Sequence, residues 1–278
     1  MKITKTCRTS AFTLMEILVV IAIIIVLAAI ALPVFSKMKA NANKATALGI
    51  MKNLASAAMT YASQHDGQLP SEDAAGKEDW SAMTQPEQDK AWYNALPRQM
   101  GSKAPADYVK EGRTAAFYTK ENILYLPGAN YPESKKMQQP LFAIAINGKL
   151  QRKDKDGKKN EVRLQSIDAP SNVVIFLEQG LPGESTKDTH PTISKKAYDG
   201  APKGNAKSFV ARYTGKGVIS FLDGSAREVA GKDLLSTTGD IIWNPGDTSQ
   251  IRWTLSAADD PNGKVGEGGT GTGPAATK

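Results

Sequence analysis

Cysteine is almost missing from this chain: Cys7 is the single one in 278 residues. That excludes an intrachain disulfide and a thiolate-bound metal. A chain of this length has no need of such staples, because it can bury a core of its own. Histidine is nearly as scarce. His65 and His190 stand far apart, with no cysteine or carboxylate cluster around either, so a zinc site and a histidine-based triad are not expected. A large excess of one charge sign is also lacking. The formal net charge is +7; Lys2, Lys5 and Arg8 supply three of those charges, and the rest of the chain carries +4. Lysine and arginine are interspersed with aspartate and glutamate, without a basic stripe or interleaved aromatics. This is a mixed, solvated surface and gives no argument for nucleic acid as a partner. With 41% hydrophobic and 23% charged residues the chain is expected to fold, into one or two domains by length.

What the sequence does have is concentrated at its start. Residues 1–11, MKITKTCRTSA, are short, polar and basic. Residues 12–35 follow as FTLMEILVVIAIIIVLAAIALPVF, purely apolar from Ile17 to Leu32 and with Glu16 as their one charge. About 20 such residues cross the hydrocarbon core as a helix. The basic flank places the N-terminus in the cytoplasm and the bulk of the chain outside. A secretory signal has a shorter apolar core and a small-residue cleavage site after it, and neither is found here. A plain signal anchor stays open on these features alone.

Glu16 narrows the choice. An ionised carboxylate near hydrocarbon is costly unless paired, which makes it a functional candidate. If the chain were cut between Ala11 and Phe12, the new α-amine would lie one helical turn from Glu16. In a filament, one subunit's carboxylate could then neutralise its neighbour's amine and set the axial register. The other reading is a carboxylate tolerated at a helix start, where the macrodipole favours it.

Taken together, the basic leader, the small residue, Phe-Thr-Leu-x-Glu and the long apolar helix resemble the class III signal of type IV prepilins and type II secretion pseudopilins. The resemblance implies cleavage by prepilin peptidase between Ala11 and Phe12, and N-methylation of Phe12. Ala11 stands where the family usually carries glycine. Pro33 falls where these helices commonly have a proline, which removes one helix hydrogen bond and kinks or locally melts the rod. Cys7 would leave with the leader.

The chain then reads as the amphipathic half of the same helix, residues 36–64. Leu48, Met51, Leu54, Ala55, Ala58 and Ala62 recur at three- and four-residue steps, and Lys37, Lys39, Lys44 and Lys52 mark its wet parts. His65-Asp66-Gly67 and Pro70 are the stop signals. Asn53, Leu54, Tyr61, Asp66, Gly67 and Pro70 also resemble the segment that follows the anchor in major pseudopilins and related pilin-like proteins.

Residues 65–262 are expected to form an extracytoplasmic globular domain, and 263–278 a flexible Gly/Thr-rich tail. Within the domain, residues 71–139 are irregular, with Trp80, Trp92 and Tyr93 as anchors. Strand signals follow at Leu141–Ile146, Val173–Leu177, Val218–Leu222 and Ser225–Val229. Asn147-Gly148 predicts one hairpin turn and Asp223-Gly224 a type I′ turn. A last pair is expected around Trp243 and Trp253. Tyr213, nine residues and Asp223-Gly224, flanked by Arg212, Gly215 and Phe221, resemble a pilin-like subgroup whose processing-associated motif is His-x9-Asp-Gly; tyrosine stands in the histidine's place. Asn147-Gly148 and Ala169-Pro170-Ser171 match the same subgroup. The expected fold class is α+β: a long N-terminal helix packed on an antiparallel sheet.

No nucleophile–base pair, metal cluster or paired acid site stands out, so no enzyme and no cofactor is expected. Asp154-Lys155-Asp156-Gly157 fails as an EF-hand, with Lys158 and Gln165 at ligand positions. Asp259 and Asp260 form a calcium candidate without a motif. The sequence therefore points to a structural subunit of a type IV pilus or secretion pseudopilus. It would start as a single-pass protein of the bacterial inner membrane. Its implied partners are further copies or other pilins and pseudopilins, prepilin peptidase, the inner-membrane assembly platform and the membrane. The alternative is a membrane-anchored binding protein or adhesin that uses the same signal.

Overall fold

The computed structural model describes residues 13–71, 79–133, 138–150, 152–153, 159–160, 162–242 and 251–255. The chain forms two units, Met1–Ala42 and Asn43–Lys278. The division falls a few residues beyond Phe35, where the sequence placed the end of the apolar segment. Helix α1 (Leu14–Gln64) is continuous and contributes to both.

In the first unit α1 is apolar all round from Ile17 to Phe35, and none of that stretch is buried. Its most apolar window has a mean hydropathy of 3.4, enough by length and composition to cross a membrane. The helix runs through Pro33 without a break, so the local melting expected there does not occur. The ring removes the one N–H that would have reached the Ala29 carbonyl, and the flanking turns hold.

In the second unit α1 changes character. Ala47, Met51, Leu54, Ala55, Ala58, Tyr61 and Ala62 are buried along one face, at the helical spacing read from the sequence. Leu48 is only half-buried and packs at the margin. Asp66 (φ 52°) and Gly67 (φ 81°) end the helix in left-handed conformations. The Gly67 amide closes back on the Ala62 carbonyl at 2.7 Å, the six-residue bond of a Schellman-type stop.

Between α1 and the sheet lies an excursion of short helices, including α2 (Trp92–Gln99) and α3 (Pro105–Lys110). Trp80, Trp92 and Tyr93 are buried. Trp92 packs on Phe142 and Phe176 and donates from Nε1 to the Pro202 carbonyl at 2.9 Å. Asn94 ties the excursion together: Nδ2 donates to the Met83 and Gln88 carbonyls, and Oδ1 accepts from the Ala106 amide.

The sheet is built from β1 (Ile144–Asn147), β4 (Val174–Glu178), β5 (Lys203–Gly204), β6 (Lys216–Phe221) and β7 (Ala226–Ala230), in the order β5-β1-β4-β6-β7. A separate ribbon pairs β2 (Arg152–Lys153) with β3 (Lys159–Asn160). The sheet is mixed and not antiparallel throughout: β5 lies parallel to β1 at one edge, while the other pairs are antiparallel. A long excursion after β4 returns the chain along the outside of β1, and such a crossover permits parallel pairing. Both faces of the sheet are covered. Ile144, Ile146, Val218 and Leu222 face α1's cluster, and Ala145, Ile219, Phe221 and Val229 face a second cluster with Phe209, Leu234 and Trp253. Burial on both faces explains why the strands read as apolar runs with little polar alternation.

Two turn expectations change. Asn147-Gly148 makes no two-residue hairpin; the chain enters a 3-10 turn at Gly148–Leu150. Asn147 is instead fully buried, donating from Nδ2 to the Val174 and Trp253 carbonyls, each at 2.9 Å. The β6–β7 hairpin forms, with Gly224 at φ 83° and Asp223 not left-handed. Gly224 N donates to the Phe221 carbonyl at 3.0 Å, so this is a three-residue loop with glycine in the left-handed position, not type I′. The last pair expected around Trp243 and Trp253 lies partly outside the described residues, which stop at Ile242 and resume at Ile251. Arg252 bridges in parallel to Val173, and Leu235 bridges to Ile241. Trp253 is buried as expected; Trp243 lies outside the described residues.

Candidate functional site

Two places hold the residues of interest. The first is the start of α1. Ala11 and Phe12 lie outside the described residues. Thr13 and Glu16 form a reciprocal cap. Glu16 Oε2 accepts from the Thr13 amide (2.8 Å) and hydroxyl (3.0 Å), and the Glu16 amide donates to Thr13 Oγ1 (3.2 Å). This is a capping box, legible in the sequence as Thr-x-x-Glu ahead of an apolar run. It gives the glutamate an intrachain role alongside the macrodipole. It brings no cation to the carboxylate, because its partners are an amide and a hydroxyl. From Leu14 through Met38 the large apolar residues are about half or more exposed.

The second place lies around Tyr213, inside the domain. Tyr213 Oη donates to Glu178 Oε1 at 2.9 Å. The Val218 amide donates to Glu178 Oε2 at 2.7 Å. Arg212 forks onto Glu184 through Nε (2.9 Å) and a terminal nitrogen (2.7 Å), reaches the Gln179 carbonyl at 2.6 Å and lies 3.4 Å from Glu178. Glu184 also accepts from the Asn130 and Leu181 amides. Glu178 is fully buried at the end of β4, and the Arg212 side chain is 5% exposed.

Burial pushes the Glu178 carboxyl above its usual range, against the pull of Arg212 and the hydrogen bonds. Burial would lower Arg212, but Glu184 and Glu178 beside it carry the guanidinium above its ordinary value. Tyr213 is raised by burial and by the Glu178 charge. The position where the motif has histidine therefore serves as a buried donor to a carboxylate. Glu178 and Glu184 were missed from the sequence, and Arg212 appeared there only as a flanking residue. A glutamate closing the apolar run VVIFLE was the available signal.

The Asp223-Gly224 turn sits against α1: a Cβ on Gly224 would meet Ser56 at 3.5 Å. Asp223 Oδ1 accepts from the Ser225 amide, the ordinary role of aspartate in a turn. His65 stacks on Tyr61 with centroids 3.9 Å apart, and His190 Nδ1 lies 2.8 Å from Thr192 Oγ1. Asp259, Asp260 and the loop Asp154–Gly157 fall outside the described residues. Among the described residues no cluster of three or more His, Cys, Asp or Glu side chains could hold a metal.

No family model, curated protein or solved structure matches this chain.

Proposed function

We propose that this chain is a prepilin-type structural subunit of a type IV pilus or type II secretion pseudopilus, anchored and later assembled through the first part of α1. The observation that carries the reading is that the apolar first part of α1 is wholly unburied and has a single carboxylate in its first turn. Leaving the Leu14–Met38 side chains in water would cost on the order of tens of kcal/mol. Lipid answers that cost before assembly, and the same helices of neighbouring copies answer it afterwards.

The carboxylate selects this reading over a simple anchor. The Thr13 cap supplies hydrogen bonds to Glu16 but no countercharge, and a lone anion at membrane depth needs one. The α-amine exposed by cleavage at Phe12 is a cation of the right kind, delivered by the adjoining subunit.

N-terminal mass spectrometry of the native protein tests the processing; the expected terminus is N-methylphenylalanine at Phe12. Intact Met1, or a terminus beyond residue 30, would overturn the reading. Glu16→Val should leave the protein in the membrane and abolish the polymer. An anchored binding protein would tolerate that change.

A further inference from the structure

The Arg212 cluster contains more negative than positive charge. Two carboxylates, Glu178 and Glu184, share one guanidinium, and all three groups are nearly or fully withdrawn from water. The sharing is unequal. Arg212 is committed to Glu184 through two short bonds, whereas Glu178 receives its close bonds from the neutral Tyr213 hydroxyl and Val218 amide. An Arg–carboxylate pair in fork geometry is self-sufficient. A further buried anion beside it is not.

Among the described residues the surroundings offer no second cation. The titratable and charged groups facing the cluster are Arg212 and Tyr213 before β6, Glu184 in the turn after β4, and Tyr131 from the excursion. Tyr198, Asp188 and Asp199 stand further out, Asp199 being held by the Gln179 amide. Apart from Arg212 they are neutral or acidic. The groups bonded to the cluster belong to separate stretches of chain. Asn130 lies in the excursion, Leu181 in the turn after β4, and Val218 in β6.

We propose that the Glu178–Arg212–Glu184 cluster is a proton-operated clamp, which takes up one proton at Glu178 on mild acidification and then holds these three stretches more tightly. The proton goes to Glu178 Oε1, with Tyr213 Oη turning from donor to acceptor, while Oε2 keeps the Val218 amide. The long 3.4 Å ion pair between Arg212 and Glu178 is given up, while the two short bonds from Arg212 to Glu184 are kept. This inference rests on the geometry of the domain alone and is independent of the filament reading.

The sign follows from burial. A carboxyl held above its ordinary value in the folded state destabilises the fold while ionised. The stability is regained as pH falls toward the ordinary glutamate value of 4.5. One linked proton changes the unfolding equilibrium by up to about tenfold per pH unit.

The test compares the full-length chain with Glu178→Gln, both in detergent micelles, by denaturant unfolding from about pH 8 to about pH 5. Glutamine mimics the protonated acid, accepting from Val218 and donating to Tyr213. The readout is the difference between the two proteins, which cancels the pH dependence they share. The wild type should become more stable than its own pH 8 form on acidification, and Glu178→Gln should lack that gain. Equal pH dependence in both, or wild-type stability falling over this range, overturns the clamp. Should the variant not fold, the carboxyl carbon of Glu178 in the wild type is followed by NMR. Titration above the ordinary glutamate value of 4.5 supports the proposal; titration at or below it refutes it.

Discussion

Asn147→Ala isolates one buried polar side chain whose duties are fully visible. Strand β1 pairs with β4 as far as Ile146 opposite Phe176. Two residues further along β4, Val174 would need a partner, but β1 has already turned into Gly148–Leu150. The Asn147 amide takes the place of the missing backbone donor at Val174. With its other hydrogen it holds the Trp253 carbonyl. Both carbonyls belong to residues with no exposed surface. Removing the side chain leaves two buried acceptors unpaired at about 1–3 kcal/mol each and releases the half-buried Lys149 amide that donates to Oδ1 at 2.9 Å, so the expected loss is about 2–6 kcal/mol. Denaturant unfolding of the full chain measures it. Hydrogen exchange should locate it at the Arg252 amide, which donates to Asn172 at 2.7 Å, and at the Val174 amide, which donates to Arg252 at 2.9 Å. A loss below about 1 kcal/mol, or unchanged exchange at both amides, would refute the clamp assigned to Asn147.

Two glycines should respond in opposite directions. A Cβ at Gly49 meets nothing within 4 Å on the surface of α1, so Gly49→Ala should stabilise the folded chain by about 1 kcal/mol. A Cβ at Gly217 would fall 2.2 Å from the Val210 carbonyl oxygen, so Gly217→Ala should destabilise by about 1–3 kcal/mol or prevent folding; thermal unfolding checks both. Glu228 bridges Lys44 of α1 at 2.8 Å and Lys216 of β6 at 3.0 Å, and these bonds hold its carboxyl below the ordinary 4.5. Its contribution is present above 4.5 and lost as pH falls through the lowered value. Lys44→Met should remove part of that acid loss and cost no more than about 1 kcal/mol at neutral pH, less in high salt.

Much of the helix was legible because its signals are local. The buried face of α1 at Met51, Leu54, Ala55, Ala58 and Ala62 follows from spacing along one helix, and the stop at Asp66-Gly67 from the conformations those residues tolerate. The Thr13–Glu16 cap was equally local, though the carboxylate drew attention to a partner outside the chain. The apolar strand runs were visible too, since coverage on both faces removes polar alternation.

Pairing was another matter. A short turn dipeptide carries little information about what the chain meets later, so Asn147-Gly148 looked like a hairpin and is a buried clamp. The parallel edge strand β5 depends on where a long excursion returns, which no local pattern encodes. The Glu178–Arg212–Glu184 cluster joins residues 34 and 28 positions apart. In sequence they are ordinary charges at the ends of elements; their meaning comes from burial, and burial is a property of the packed chain. The sequence alone thus determined a membrane-length helix with one charge and an amphipathic continuation, because those follow from composition and period. Tertiary structure decided which polar groups lost their water, because only packing brings distant donors and acceptors within 3 Å of one another.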